Sequence, residues 1–256
     1  MTLHHRRLRP ATVIPPDLYV QRAADLQLRD AIRDMGRPPY VLVSRQMGKT
    51  NLLIHAKRSL EQKDDLFVYL DISNRFPEPR AFFRHIIDSA VRLRVLPSSC
   101  LNDIRRARSK DNLPHLEYEA SLRAILSHLV GRFVIILDEI DALTGSRFSD
   151  QVFSEIRSTY FSRTNYDDLQ RLTYVLAGVA EPTDLIKDKA VSPFNIGEKI
   201  YLDDFTTRNI AEFTTKAGLL FPDEVLDTIF AWTGGNPRMV WDVCDMSKRV
   251  RIYSKV

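Results

Sequence analysis

Two stretches of this 256-residue chain carry residue types at spacings suited to phosphate chemistry. The first, VSRQMGKTNLL at 43–53, ends its turn in Gly48-Lys49-Thr50. Backbone N–H groups at a helix start hold phosphate oxygens, a lysine there reaches the outer phosphates, and a threonine hydroxyl ligates magnesium. Gly48 permits a close backbone approach that a side chain would block. Val43 stands where such a loop normally has its first glycine. A β-branched residue disfavours positive φ, so the loop must begin in extended geometry.

A Gly-Lys-Thr triplet is weak evidence alone, and the second stretch supplies what it lacks. FVIILDEID, at 133–141, ends an apolar run in two adjacent carboxylates. Burying such groups at a strand end is costly unless a cation or polar network compensates. Asp138 is placed to bind magnesium, and Glu139 to polarise the water that attacks a terminal phosphate. Asp141 either supports the loop or caps the next helix. The two motifs together point to a nucleotide site.

Such residues need a sheet to hold them. Apolar runs at 40–43, 66–72, 133–137 and 172–180 read as buried strands, with a shorter fifth at 199–202. Ala24, Leu28, Ala31, Ile32 and Met35 mark one face of a helix that stops near Gly36 and Pro38-Pro39. Helices are also expected over 51–60, around Phe83, Ile86, Ile87 and Ala90, and around Tyr118, Leu122, Ile125, Leu126 and Leu129. The stretch 97–114 between the last two is polar and reads as irregular. After Asp204 only helical patterns remain: Thr206 or Thr207 caps one, Pro222 begins another, and Gly234-Gly235-Asn236-Pro237 breaks the chain before a third. This predicts an α/β fold with a five-stranded parallel sheet flanked by helices, and a small C-terminal helical lid. The expected division is a basic tail at 1–16, a core at 17–204 and the lid at 205–256.

Composition excludes several classes. Hydrophobic residues make up 44% and charged residues 27% of the chain, as in ordinary globular proteins. No apolar run approaches the roughly 20 residues of a membrane helix. No apolar stretch follows the basic start MTLHHRRLRP, so a cytoplasmic location is expected. Cys100 and Cys244 lack any CxxC spacing, which argues against a disulfide framework or zinc site. The net charge of +4 is mild, with arginines at 6, 7 and 9 and at 105, 106 and 108; nucleic-acid contact has only weak support.

The motifs resemble the AAA-like domain family of bacterial STAND-type P-loop ATPases (AAA+/ASCE class), and more distantly archaeal origin-recognition ATPases. The stretches that carry the likeness run in order from YVQRAAD through RQMGKT, IILDEIDAL, RLTYVLAGVAEPTDLIKDKAVSPFNIG and LDDFT to WTGGNP. The family reads Arg-Gln-Met before its Gly-Lys and often lacks the first glycine, which accommodates Val43. The resemblance implies a strand order of 5-1-4-3-2 and ATP or ADP with Mg2+ as ligands. It adds roles in nucleotide binding for Gln46, Met47 and Asn51, and places Tyr19, Val20 and Arg22 against adenine and ribose. Pro237 resembles a lid proline that contacts adenine, and Arg238 a second sensor arginine. Glu181 or Thr183 occupies the place of a polar sensor, although the family lacks the usual asparagine there. Arg157, Arg163 and Arg171 lie where an arginine acting in trans arises in an oligomer.

The expected function is a slow, Mg2+-dependent ATP-hydrolysing switch in bacterial signalling or defence, with Thr50 and Asp138 on the metal and Glu139, Lys49 and Asp138 catalytic. ATP is expected over GTP from the resemblance, and no guanine-reading Asn-Lys-x-Asp motif appears. Family members often carry a C-terminal sensor or effector module, so this chain is either a fragment or works with a separate protein partner. A nucleotide-dependent homo-oligomer is also implied. The alternatives are a DNA-associated AAA+ ATPase, a non-hydrolysing interaction module and, less well matched, a small-molecule kinase.

Overall fold

Residues 8, 13–74, 76–110, 112–186, 188, 190 and 192–253 are described in the computed structural model. Arg6, Arg7 and Arg9, in the basic tail, lie outside them. Five strands form one sheet: β1 (Pro39–Leu42), β2 (Leu66–Asp71), β3 (Phe133–Asp138), β4 (Leu172–Gly178) and β5 (Glu198–Lys199). All pairings are parallel, and the spatial order β2-β3-β4-β1-β5 is the expected one read from the opposite edge. Every residue of β3 and β4 is buried, which explains their continuous apolar sequence. Register aligns Phe133 with both Leu66 and Leu172, so the central strands begin level.

Ten α-helices accompany the sheet among the described residues: α1 (Ala23–Arg33), α2 (Lys49–Leu60), α3 (Pro79–Leu93), α4 (Ser98–Ser109), α5 (Pro114–Leu126), α6 (Ser149–Ser162), α7 (Pro182–Leu185), α8 (Thr207–Lys216), α9 (Asp223–Thr233) and α10 (Pro237–Tyr253). The stretch expected to be irregular is therefore a three-turn helix, α4. Cys100, Ile104 and Ala107 are buried at i, i+4 and i+7. Three small or medium apolar residues suffice for a helix laid on the core, and the arginines around them obscured the period. The fifth strand is also shorter than expected. Ile200 donates its N–H to Tyr40 O at 2.9 Å, but the chain leaves the ladder there.

The chain divides into two compact units, one of Met1–Leu26, Val43–His55 and Tyr201–Val256, the other of Gln27–Leu42 and Ala56–Ile200. The second contains the sheet, α3 to α7, and a core drawn from them. Two of its buried acids are matched by cations. Glu117, 3% exposed, takes Arg80 Nη1 and Arg84 Nε at 2.5 Å each, and Asp65 takes Arg132 Nη2 at 2.5 Å. Glu155 on α6 is different. Burial, with Glu119 nearby, pushes its carboxyl from an ordinary 4.5 up to about 7, against the lowering effect of Thr159.

That shift gives a pH-dependent stability. Below about pH 4.5 Glu155 is protonated in the folded and unfolded chains alike and contributes nothing. As pH rises to about 7 the unfolded chain releases the proton first, so stability falls, and above 7 the loss is constant. Glu155→Gln is expected to stabilise the chain by roughly 2–3 kcal/mol at pH 8 and by little at pH 4.5. Urea unfolding at the two pH values checks this; equal gains at both would contradict it.

In the first unit Phe205, Ile210, Phe213, Leu226, Ile229, Val240, Trp241 and Cys244 form a core with Leu18 and Val20. Thr206 and Asn209 make a reciprocal capping box at the start of α8. Gly234 ends α9 in the left-handed region at φ 58°, as a C-terminal glycine does. Gly235 follows at φ 80°, and a Cβ there would lie 2.1 Å from Phe205 O, so only glycine fits this crossing. Among the described residues no helix is long and apolar enough to cross a membrane.

Candidate functional site

The segment from Val43 to Gly48 turns directly into α2, whose first residue is Lys49. Positive φ falls on Gln46 (69°) and Gly48 (86°), not on Val43. The valine therefore leaves the strand as its side chain requires, and the loop bends further along. A Cβ on Gly48 would approach Arg22 Nη2 to 3.0 Å, in a backbone conformation that side chains rarely adopt. The first turn of α2 contains no acidic residue, and beyond Lys49 at its start its basic residues, Lys57 and Arg58, stand in the last turn. The positive dipole end of α2 favours an anion. Lys49 is buried at 7% exposure and Thr50 is half-buried.

Arg22 organises the surroundings of this loop. Its Nη1 donates to Met47 O at 2.9 Å and to Asp203 O at 3.0 Å, and its guanidinium stands 5.4 Å from the Phe205 ring centre. Asp25 fixes the preceding turn, accepting from Arg22 N at 2.8 Å and from the Tyr19 hydroxyl at 2.7 Å. Tyr19 stacks on His55 of α2 with ring centres 4.1 Å apart. Asn51 accepts from Ile14 N at 2.7 Å, and Asn236 Nδ2 lies 3.7 Å from Met47 Sδ. Tyr19, Val20, Arg22, Gly48, Asn51 and Pro237 line a single cavity. Their sequence positions are remote, and folding brings them together.

The cavity is small, about 30 Å3, room for one water. Its remaining walls include Phe205 of LDDFT, and Phe213 and Trp241, which lie outside the sequence motifs. Pro237 and Trp241 are four apart on α10, a helical period that marks one shared face, and only the fold shows what that face meets. Arg238 does not line the cavity. Its Nε donates to Asp242 at 2.9 Å, and its backbone N–H donates to Asn236 Oδ1.

Within the sheet unit, Asp138 ends β3 at 1% exposure. Its carboxylate accepts from the Tyr69 hydroxyl at 2.9 Å and from Glu139 N at 3.0 Å. Glu139 is half-buried and left-handed at φ 59°, an uncommon state for a residue with a side chain. Such local strain concentrates at functional positions. Asp141 Oδ1 accepts from Val179 N and Ala180 N at 2.7 Å each, so it supports the turn after β4 rather than capping a helix. That turn leads into Glu181 and Thr183, both exposed at the start of α7.

The remaining arginines are largely committed within this unit. Arg163 donates to Met35 O at 2.7 Å, Gly36 O at 2.8 Å and Leu172 O; Arg171 donates to Leu126 O at 2.7 Å and to Leu129 O. Both satisfy carbonyls that a turn or helix end leaves open. Arg157 reaches Ser192 O at 3.3 Å and lies 4.8 Å from the Phe161 ring centre. On α4, Arg106 pairs with Asp103 at 3.2 Å and Arg108 with Asp88 at 2.6 Å, while Arg105 donates to Asn102 at 3.1 Å.

Comparison with known proteins gives consistent results. A family model described as the AAA-like domain matches residues 11–248. An uncharacterized WD repeat-containing protein of Synechocystis sp. is 34% identical over 238 residues, covering 89% of this chain and 20% of that protein. The chain thus spans about a fifth of that relative's length. Among solved structures, the Walker-type ATPase of Pyrococcus abyssi superposes with a TM-score of 0.58 at 19% identity, covering 91% of this chain and 68% of that one. The Aeropyrum pernix ORC1 protein, solved in complex with DNA, gives 0.59 at 19% identity over 96% and 64% of the two chains. A STAND protein with a tetratricopeptide repeat sensor from Pyrococcus horikoshii gives 0.56 at 12% identity over 90% and 30%. At these identities the structural likenesses establish the fold alone.

Proposed function

The chain belongs to the AAA-like domain family, and from that premise we propose that it is a slow ATP-hydrolysing switch in which bound nucleotide sets the state of α8 to α10. One observation carries this reading: the cavity that touches Gly48 and Asn51 of the phosphate loop is also walled by Pro237 and Trp241 of α10. A nucleotide with its phosphates on the start of α2 would extend its base toward α10. Ligand contacts made only when these segments are closed give the closed state its differential affinity, which is what a switch requires.

In this reading Lys49 reaches the outer phosphates, the loop N–H groups hold their oxygens, and Tyr19, Val20, Arg22 and Pro237 receive the base and ribose. Gln46 and Met47 shape the loop. The hydroxyl of Thr50 and the carboxylate of Asp138 are the groups that would hold Mg2+, and oxygen donors suit that ion. Bound there, Mg2+ would neutralise charge on the phosphates. Glu139 is assigned the orientation of the attacking water, and Glu181 or Thr183 the sensing of the terminal phosphate. The WD repeats named in the Synechocystis relative and the repeat sensor named in the Pyrococcus horikoshii protein support pairing with a repeat module, in keeping with a signalling role.

Limited proteolysis tests the switch. A non-hydrolysable ATP analogue with Mg2+ is expected to protect α8 to α10 from cleavage. The same cleavage pattern with and without analogue, at concentrations where the analogue binds, would remove the switch and leave a simple nucleotide-binding protein.

A further inference from the structure

A carboxylate taken out of water needs a cation, and in the sheet unit Glu117 and Asp65 each have arginine partners. Glu155 of α6 is 8% exposed, and the charge acting on its carboxyl comes from another acid, Glu119 of α5. Glu155 also lines a cavity of about 730 Å3, a volume within the range of small-molecule sites. Gln151 and Ser158 line it too, four positions before and three after, so one face of α6 borders the cavity. Pro114 and His115, at the start of α5, form another wall. Glu119 follows His115 by one turn, which places the Glu155 carboxyl toward the α5 side of the cavity. Phe83, Leu113 and Phe161 supply apolar surface. Phe83 is itself fixed from behind by Tyr118, with ring centres 4.5 Å apart. The cavity's arginine, Arg157, is engaged elsewhere: it donates to Ser192 O at 3.3 Å and lies 4.8 Å from the Phe161 ring centre.

We propose that this cavity binds a small organic cation, an ammonium group on an apolar body, with Glu155 as its counter-ion and Phe83, Leu113 and Phe161 around the body. Apolar walls with one acid set among them match that ligand in both its parts. Among the described residues no three His, Cys, Asp or Glu side chains gather to hold a metal ion, and the apolar walls suit an organic cation better. Every residue of the cavity belongs to the sheet unit and none to the Gly48 loop, so this inference does not depend on the nucleotide reading.

The test is titration calorimetry with phenethylamine and its neutral counterpart 2-phenylethanol, at pH 6 and pH 8, on the wild-type chain and on Glu155→Gln. At pH 8 the wild type is expected to bind phenethylamine saturably and 2-phenylethanol at least about tenfold more weakly, the loss of one charge-assisted contact. Because burial pushes the Glu155 carboxyl up to about 7, at pH 6 the cation must displace a proton. Binding there is expected to be about tenfold weaker than at pH 8, with about one proton released, read from buffers of different ionisation enthalpy. The other titratable groups around Glu155 are Glu119, His115 and Tyr118 of α5, Arg157 of α6 and Tyr174 of β4. Glu155→Gln leaves all of them in place, and it is expected to lose both the binding and the proton release. Ser158→Lys, at an exposed position on the same face, offers Glu155 a tethered ammonium and is expected to weaken the probe by about tenfold or more; it decides the matter should Glu155→Gln fail to fold. No saturable binding of phenethylamine by the folded wild type at pH 8, equal binding of the two probes, or unchanged binding by either folded variant would overturn the proposal.

Discussion

Lys49→Ala is expected to weaken ATP binding by about a hundredfold or more, the loss of a charge-assisted contact in a partly dehydrated site. The lysine is the first residue of α2, directly after the positive-φ Gly48, and is nine-tenths buried. An alanine there keeps the helix but leaves only backbone N–H groups to face the phosphates. Circular dichroism and a thermal melt establish that the variant is folded, and calorimetric titration reads the affinity. Tight ATP binding by a folded Lys49→Ala chain would show that this loop does not hold the phosphates.

Replacing Glu139 by glutamine should separate binding from turnover. The amide preserves size and most hydrogen bonding but cannot accept a proton from water, so hydrolysis is expected to fall by about 10²- to 10⁴-fold while ATP affinity stays within a few-fold. The left-handed backbone at this position fixes where the side chain begins, and substitution by an equally long residue leaves that geometry in place. An unchanged hydrolysis rate would take Glu139 out of the catalytic role. A large loss of affinity would assign it to ligand binding instead.

Much of the architecture was legible because buried parallel strands write themselves as apolar runs. FVIILD and LTYVLAG have no exposed face, and a strand of that kind is hard to mistake when bounded by glycine and charge. By contrast, β5 is two exposed residues held by their backbone, and its neighbours Ile200 and Leu202 are buried beyond the ladder, which drew the expected strand too far along. The helix α4 was missed because three buried positions among eight charged or polar ones give little periodic contrast.

The site divides in the same way. Gly48-Lys49-Thr50 and Asp138-Glu139 are local, and short range in sequence suffices to see them. Arg22 was identified through a family likeness, but its bonds to Met47 and Asp203 are visible only in the fold. Phe205, Phe213 and Trp241 are buried residues of the core. What distinguishes Trp241 is its place in the wall of the cavity, a property that neither composition nor spacing encodes.

The most direct test of a hydrolytic nucleotide switch is to measure ATP binding and phosphate release with Mg2+ side by side on the wild-type chain and Glu139→Gln. Saturable binding by both, with release from the wild type alone, is the predicted result. Absence of binding by the folded wild-type chain, or equal release by both proteins, would contradict it.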